Sequence, residues 1–205
     1  MKKLTVISLM LATVLAIALA TVAGIARTND ADVPAPPAIG AAIADFTLPD
    51  TDGKEHSLNS LKGKNGAVLI FIAVQCPVSN AYNERMERLA QNYKARGINI
   101  IGINANVSES AAEVKAHAAE KHLTFTILKD PGNKIADALG ATRTPEAYLL
   151  DASNKLLYHG RIDNSRDESQ VATSDLRDAL EATLSGKPVA KTTANAFGCS
   201  IKRAD

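Results

Sequence analysis

The sequence predicts an α/β fold, a mixed central β-sheet with helices on both faces. Three observations predict it. Ala67 to Val74 and Ile98 to Asn104 are short apolar runs, the pattern of strands buried on both sides of a sheet. Between them Tyr82, Met86, Leu89 and Tyr93 recur at spacings of four, three and four, which is one face of a helix. The full order reads strand–helix–strand–helix–strand–helix–strand–strand–helix. Such alternation requires parallel pairing with crossover helices, and the adjacent closing strands require an antiparallel hairpin.

The elements follow in chain order. Asp45 to Leu48, then Asp52-Gly53, then His56 to Leu58 suggest a short hairpin. The strand from Ala67 leads into Cys76-Pro77 and the long helix, which Gly97 stops. Ser110 to Lys121 reads as a helix and Thr124 to Leu128 as a strand. Asp130-Pro131-Gly132 is a turn, and Lys134 to Leu139 is a short helix closed by Gly140. Glu146 to Leu150 and Lys155 to Arg161 are strands joined by a turn at Asp151 to Asn154. Leu176, Ala179, Leu180, Thr183 and Leu184 mark a last amphipathic helix, with Ser174 as its N-cap and Gly186 and Pro188 past its end.

The N-terminus has a different character. Lys2 and Lys3 precede an uncharged, apolar run from Leu4 to Ala26, and both Ala18-Leu19-Ala20 and Gly24-Ile25-Ala26 fit small-x-small cleavage. Residues 1–26 read as a signal peptide or an N-terminal membrane anchor, since the run is also long enough to span a bilayer. Residues 27–42, with Pro34, Pro36 and Pro37, read as an extended linker. The folded domain is expected over 43–187, followed by a polar tail, 188–205, that carries Cys199. These features place the domain outside the cytosol, periplasmic or otherwise extracytoplasmic, secreted or tethered through residues 4–26. The net charge is +1 in 205 residues, so no basic excess points to nucleic acid. With only two cysteines the chain is no disulfide scaffold and must stand on its apolar core.

Cys76 stands where a buried strand gives way to a helix. Helix N-termini present unpaired N–H groups and a partial positive charge, and both favour thiolate over thiol. Pro77 suits the first helical turn because it has no N–H to leave unpaired. The competing reading is a structural cysteine that packs as a small hydrophobe.

Asp45-Phe46-Thr47-Leu48, Cys76-Pro77, Thr144-Pro145-Glu146 and Gly160-Arg161-Ile162-Asp163 together resemble the redoxin branch of the alkyl hydroperoxide reductase/thiol-specific antioxidant family. Gly198-Cys199-Ser200-Ile201 resembles the Gly-Cys-x-Ile ending of a peroxiredoxin-like group within it. The likeness spans residues 39 to 202. It implies a thioredoxin-like fold, a thiol-based redox role, and a cis Pro145, preceded by Thr144, facing Cys76. It does not fix the substrate.

The chain also departs from its relatives. Where thioredoxin has its second cysteine, this chain has Ser79. Where a peroxiredoxin has Thr and Pro ahead of the reactive cysteine, it has Ala73 and Leu69. A lone attacking thiol needs a second thiol to release the mixed disulfide, and Cys199 is the other cysteine. The tail from Pro188 can extend ~40 Å at the maximal rise per residue, enough to cross a domain of this size. The expectation is a thiol–disulfide oxidoreductase in which Cys76 attacks and Cys199 resolves. Its partners would be protein thiols or disulfides, or a small peroxide, with a separate thiol reductant or oxidant. Two alternatives stand beside it. One is an interaction protein with a structural Cys76–Cys199 bridge. The other is a Cu(I)-handling protein using both thiols and His159, since thiolates suit that ion. Arg143 is a candidate to stabilise the thiolate or a solvated loop charge, Arg85 a surface or ion-pair residue, and Tyr82 a core residue. No cofactor motif is present, and the histidines show no zinc-ligand spacing.

Overall fold

The computed structural model describes residues 33–204. The leader, residues 1–26, and the start of the linker lie outside the described residues. Among the described residues no helix is long and apolar enough to cross a membrane.

The chain opens with β1 (Thr47–Pro49) antiparallel to β2 (Glu55–Ser57). Asp50 organises the turn between them, its Oδ1 accepting from the N–H of Asp52 at 2.8 Å and of Lys54 at 3.0 Å. A single helical turn, α1 (Leu58–Leu61), follows on the Ser57 cap.

The sheet centres on β3 (Gly66–Phe71), all six residues of which are buried. It pairs antiparallel with β7 (Glu146–Asp151), and β7 with β8 (Leu156–Gly160). Beside β3 runs β4 (Ile98–Asn104), parallel to β5 (Thr126–Lys129). Alternation divides the core. Val68, Ile70 and Leu149 face α3 (Asn83–Lys94) and α6 (Asp175–Leu184), meeting Met86, Leu89, Leu176 and Leu180. Leu69, Phe71, Tyr148 and Leu150 face the other way, against Leu48, Leu58, and Ala136 of α5 (Lys134–Ala138). α4 (Ala111–Glu120) bridges β4 and β5 and starts on a reciprocal Ser110–Glu113 capping box.

Three local expectations are revised. The strand read as far as Val74 ends sooner: Ile72 N–H still donates to Ile103 O at 2.9 Å, but the amides after it turn to side chains. Ala73 N–H donates to Ser79 Oγ at 3.2 Å, and Val74 and Gln75 N–H to the Glu109 carboxylate at 2.9 Å each. The single helix after Cys76 is two, α2 (Pro77–Ala81) and α3. At their junction Tyr82 N–H bonds Ser79 O three residues back, which tightens the chain.

The third revision concerns the C-terminal segment, which is folded rather than a free tail. β9 (Thr193–Ala194) runs parallel to β8. Phe197 meets the Tyr82 ring edge-on, centroids 6.3 Å apart. β10 (Cys199–Ser200) pairs antiparallel with β6 (Arg143–Thr144), and Ile201 enters the core.

Candidate redox site

The site lies where β3 gives way to α2. Cys76 is the N-cap of α2, and its Sγ accepts the Ser79 N–H at 3.3 Å. The thiol also lies 3.3 Å from the Thr144 carbonyl, to which it donates when protonated. The Thr144–Pro145 peptide bond is cis, and both residues are buried. Register places Cys199 directly opposite Thr144, so the second thiol reaches the first from the β10 strand. The structure thus brings together Cys76, Cys199, Thr144 and Pro145. Both thiols are free, Cys76 2% exposed and Cys199 half-buried.

Gly198 makes this approach possible. Its φ is +142°, and a Cβ there would sit 2.1 Å from the Thr144 carbonyl oxygen. No other residue type fits without displacing β10.

The two thiols are electrostatically unequal. Burial pushes the Cys76 thiol up, but hydrogen bonds from the Cys199 thiol and from the Ser79 and Cys199 N–H groups outweigh it, so its pKa falls below the ordinary value. Burial pushes Cys199 up, and donating to Cys76 and facing its charge push it further. Cys76 therefore ionises first while Cys199 keeps its proton and points it at the thiolate.

Two buried carboxylates frame the pair. Glu146 Oε2 accepts from the N–H groups of Thr142 and Arg143 at 2.8 and 2.9 Å, which braces the turn into Thr144. Its Oε1 meets His159 Nε2 at 2.6 Å. Glu109 holds the loop on the other side, Val74-Gln75. In each case burial raises the carboxyl pKa, and the donated hydrogen bonds bring it below the usual range. Sequence reasoning gave Glu146 only a place in the Thr144-Pro145-Glu146 motif and missed Glu109, whose backbone partners Val74 and Gln75 are remote in the chain; the one visible signal for Glu109 was the polar cluster Asn104, Asn106 and Glu109 at the end of an apolar strand.

Arg143 turns to the tail, its Nη1 donating to Ser200 Oγ at 2.8 Å. Arg85 is a buried ion pair, with Nη1 at 2.9 and 2.8 Å from the two Asp163 carboxylate oxygens and its guanidinium 3.6 Å above the Tyr82 ring. Tyr82 is a core residue, as expected, and its hydroxyl also donates to Asp163 at 2.8 Å. His159, the histidine considered for Cu(I), stacks on Tyr148 and bonds Glu146. Among the described residues no three His, Cys, Asp or Glu side chains gather as a metal set.

The AhpC/TSA family model matches residues 39–159, more than half of the chain. The chain belongs to the AhpC/TSA family. This AhpC/TSA chain is 31% identical over 119 residues to the thiol-disulfide oxidoreductase ResA of Geobacillus thermodenitrificans, covering 58% of this chain and 67% of that protein. It is 32% identical over 126 residues to the chloroplastic peroxiredoxin Q of Triticum aestivum, but spans only 57% of that protein. A solved structure of a hypothetical protein from Sinorhizobium meliloti 1021 superposes with a TM-score of 0.76 at 32% identity, covering 82% of this chain and 96% of that one. The fold is thioredoxin-like, a mixed central sheet with helices. In this AhpC/TSA chain the family match ends at residue 159, before Cys199.

Proposed function

We propose that this protein is an exported thiol–disulfide oxidoreductase in which Cys76 is the nucleophile and Cys199 the resolving thiol. The observation that carries the reading is geometric: Cys199 lies opposite Thr144 in the β6–β10 pair, and the Thr144 carbonyl lies 3.3 Å from the Cys76 sulfur, with Cys76 held low and Cys199 held high. The Cys76 thiolate attacks one sulfur of a substrate disulfide. A Cys76–substrate bond forms, and the departing sulfur leaves as a thiolate that takes a proton from water. Burial still raises the Cys199 pKa, but with the negative charge on Cys76 consumed the hydrogen bond and the charge that pushed it further disappear. Cys199 then loses its proton, attacks Cys76 Sγ and forms the Cys76–Cys199 disulfide, and the second substrate sulfur leaves as a thiol. The substrate has gained two electrons and two protons. A separate dithiol reductant returns the pair to thiols, and the same steps reversed oxidise a substrate dithiol. Thr144 and Pro145 are positioning residues that fix the sulfur against the β6 backbone. The ResA relative carries the name of this activity.

Disulfides suit this site better than peroxides. The peroxiredoxin pattern has a hydroxyl residue three before its cysteine, and here Ala73 has none to offer a peroxide oxygen. Access to Cys76 requires β10 to part from β6, a ladder of only two residues. The leader, with its paired lysines and apolar run, supports an extracytoplasmic location, cleaved or tethered.

Turnover of a model protein disulfide with dithiothreitol as reductant tests the reading. Cys76→Ser abolishes turnover. Cys199→Ser accumulates mixed disulfides at Cys76, visible on non-reducing gels. Unchanged turnover in both variants, or peroxide reduction far outrunning disulfide reduction, overturns it.

A further inference from the structure

A polar cluster links the residues just before Cys76 to the segment just after Cys199. Glu109, 2% exposed, sits in the loop between β4 and α4. Its two carboxylate oxygens take four donors, the Val74 and Gln75 N–H groups at 2.9 Å, Asn104 Nδ2 at 2.5 Å and Asn106 Nδ2 at 3.0 Å. Val74 and Gln75 are the two residues that lead into Cys76. Asn106, 6% exposed, then turns the other way, and its Oδ1 accepts the Lys202 N–H at 2.8 Å, three residues past Cys199. Val107 N–H donates to Lys202 O at 3.0 Å on the same segment. Lys129 supplies the counter-charge, its Nζ donating to the Asn104 side chain and to the Glu109 and Asn106 carbonyls at 2.6 and 3.2 Å.

We propose that Glu109 and Asn106 form a clamp that sets the position of one cysteine relative to the other, holding the approach to Cys76 with the carboxylate and the segment after β10 with the amide. The inference rests on the redox reading of the cysteines and adds to it the residues that govern the pair. Neither Glu109 nor Asn106 touches a sulfur atom in the contacts described, so both are positioning residues. A clamp differs from ordinary structural support because its two arms end on the two halves of the couple. Loosening either arm lowers the effective concentration of Cys199 at Cys76 and uncovers the Cys76 sulfur.

The experiment uses Asn106→Ala and Glu109→Gln in the full chain. Asn106→Ala removes the bond to Lys202 and the bond to Glu109 together. Glu109→Gln puts an amide NH2 against one of the Val74 and Gln75 N–H groups, so one of those donors is left unpaired. The comparison variant is Ser110→Ala, which removes a neighbouring helix cap without altering either arm. The first readout is the equilibrium between the Cys76–Cys199 disulfide and a glutathione buffer. The clamp predicts a shift of about tenfold toward the dithiol in both variants, which is about 30 mV for a two-electron couple, with Ser110→Ala at the wild-type value. The second readout is iodoacetamide alkylation of Cys76 at a pH where the thiol is ionised throughout. The clamp predicts about tenfold faster alkylation in Asn106→Ala, a rate set by how often the strand opens. Lower melting temperatures with wild-type potential and wild-type alkylation would reduce the pair to structural residues and overturn the clamp. If the wild-type protein forms no Cys76–Cys199 disulfide, the redox reading fails, and the alkylation arm still decides the clamp.

Discussion

Gly198→Ala should separate the two cysteines without altering either. The alanine Cβ would lie 2.1 Å from the Thr144 carbonyl oxygen and 3.5 Å from Val78 Cβ, and the first contact is with backbone that cannot swing aside. The residue would also have to keep φ near +142°, a region that costs a non-glycine residue of order 1–3 kcal/mol. Taking about 2 kcal/mol of that against the docked state, the undocked population of β10 rises roughly 30-fold, at 1.4 kcal/mol per tenfold. Two measurements then move in opposite directions. Alkylation of the buried Cys76 becomes about 30-fold faster at a pH where its thiol is fully ionised, because the covering strand has left. The equilibrium constant for forming the Cys76–Cys199 disulfide from glutathione falls by a similar factor, because the resolving thiol is present less of the time. Gly132→Ala is the control: its φ is also positive, at +75°, but an added Cβ meets nothing within 4 Å and the site is remote in sequence from both cysteines. Equal alkylation and equal disulfide stability in Gly198→Ala and wild type would refute the docking argument, since the strand would then tolerate a side chain where the geometry allows none.

Other perturbations give separate tests. Arg85→Ala leaves the buried Asp163 carboxylate without its cation and should cost about 3–5 kcal/mol in urea denaturation, whereas a paired Arg85→Met, Asp163→Leu replacement should lose much less; equal losses would show that the charge pairing is not what matters. The pH–rate profile of Cys76 alkylation should have its midpoint below the usual thiol value of about 8.5, and Cys199→Ala should move it upward by removing a hydrogen-bond donor to the thiolate. An unmoved midpoint would remove Cys199 from the activation of Cys76. Asp175 is held down to about 2 despite burial, chiefly by its bonds to Arg161 and Lys191, and Glu109 and Glu146 are also held low. Carboxylates depressed in the folded state stabilise it above their unfolded pKa values of about 4. That stability drains as pH falls through the folded values, so the urea midpoint should be flat near neutrality and fall steadily between about pH 5 and pH 2. A midpoint as high at pH 3 as at pH 7 would contradict this.

The sequence made the scaffold legible because its signals were local and redundant. The run Ile98–Asn104 is a strand with the bounds its apolar pattern gives, and Ser110 caps α4 with the Glu113 partner that a capping box needs. The β3-to-α2 handover was legible because Cys76-Pro77 sits between two unambiguous periodicities. What could not be read was pairing between remote short segments. β6 and β10 have two residues each, too short for any period, and their register is set by Gly198, Ile201 and the Lys202 amide acting together. Glu109 was hidden for a related reason. A single carboxylate in a loop looks solvated until the fold delivers four donors to it, two of them backbone amides some thirty-five residues earlier in the chain. Arg85 was read as a surface or ion-pair residue, and the ion pair is what forms; its partner Asp163, 78 residues later in the chain, was not legible.

In the proposed mechanism two thiols on separate segments are one redox couple. Equilibration of the wild-type protein in glutathione buffers of graded ratio, with the oxidised fraction followed by the mass of the two lost hydrogens and the bridged peptides mapped, tests it most directly. The expected result is a reversible Cys76–Cys199 disulfide whose midpoint falls among those of exchanging thiol proteins. A bridge that stays oxidised below about −300 mV, as structural disulfides do, or thiols that never join at any ratio, would contradict it.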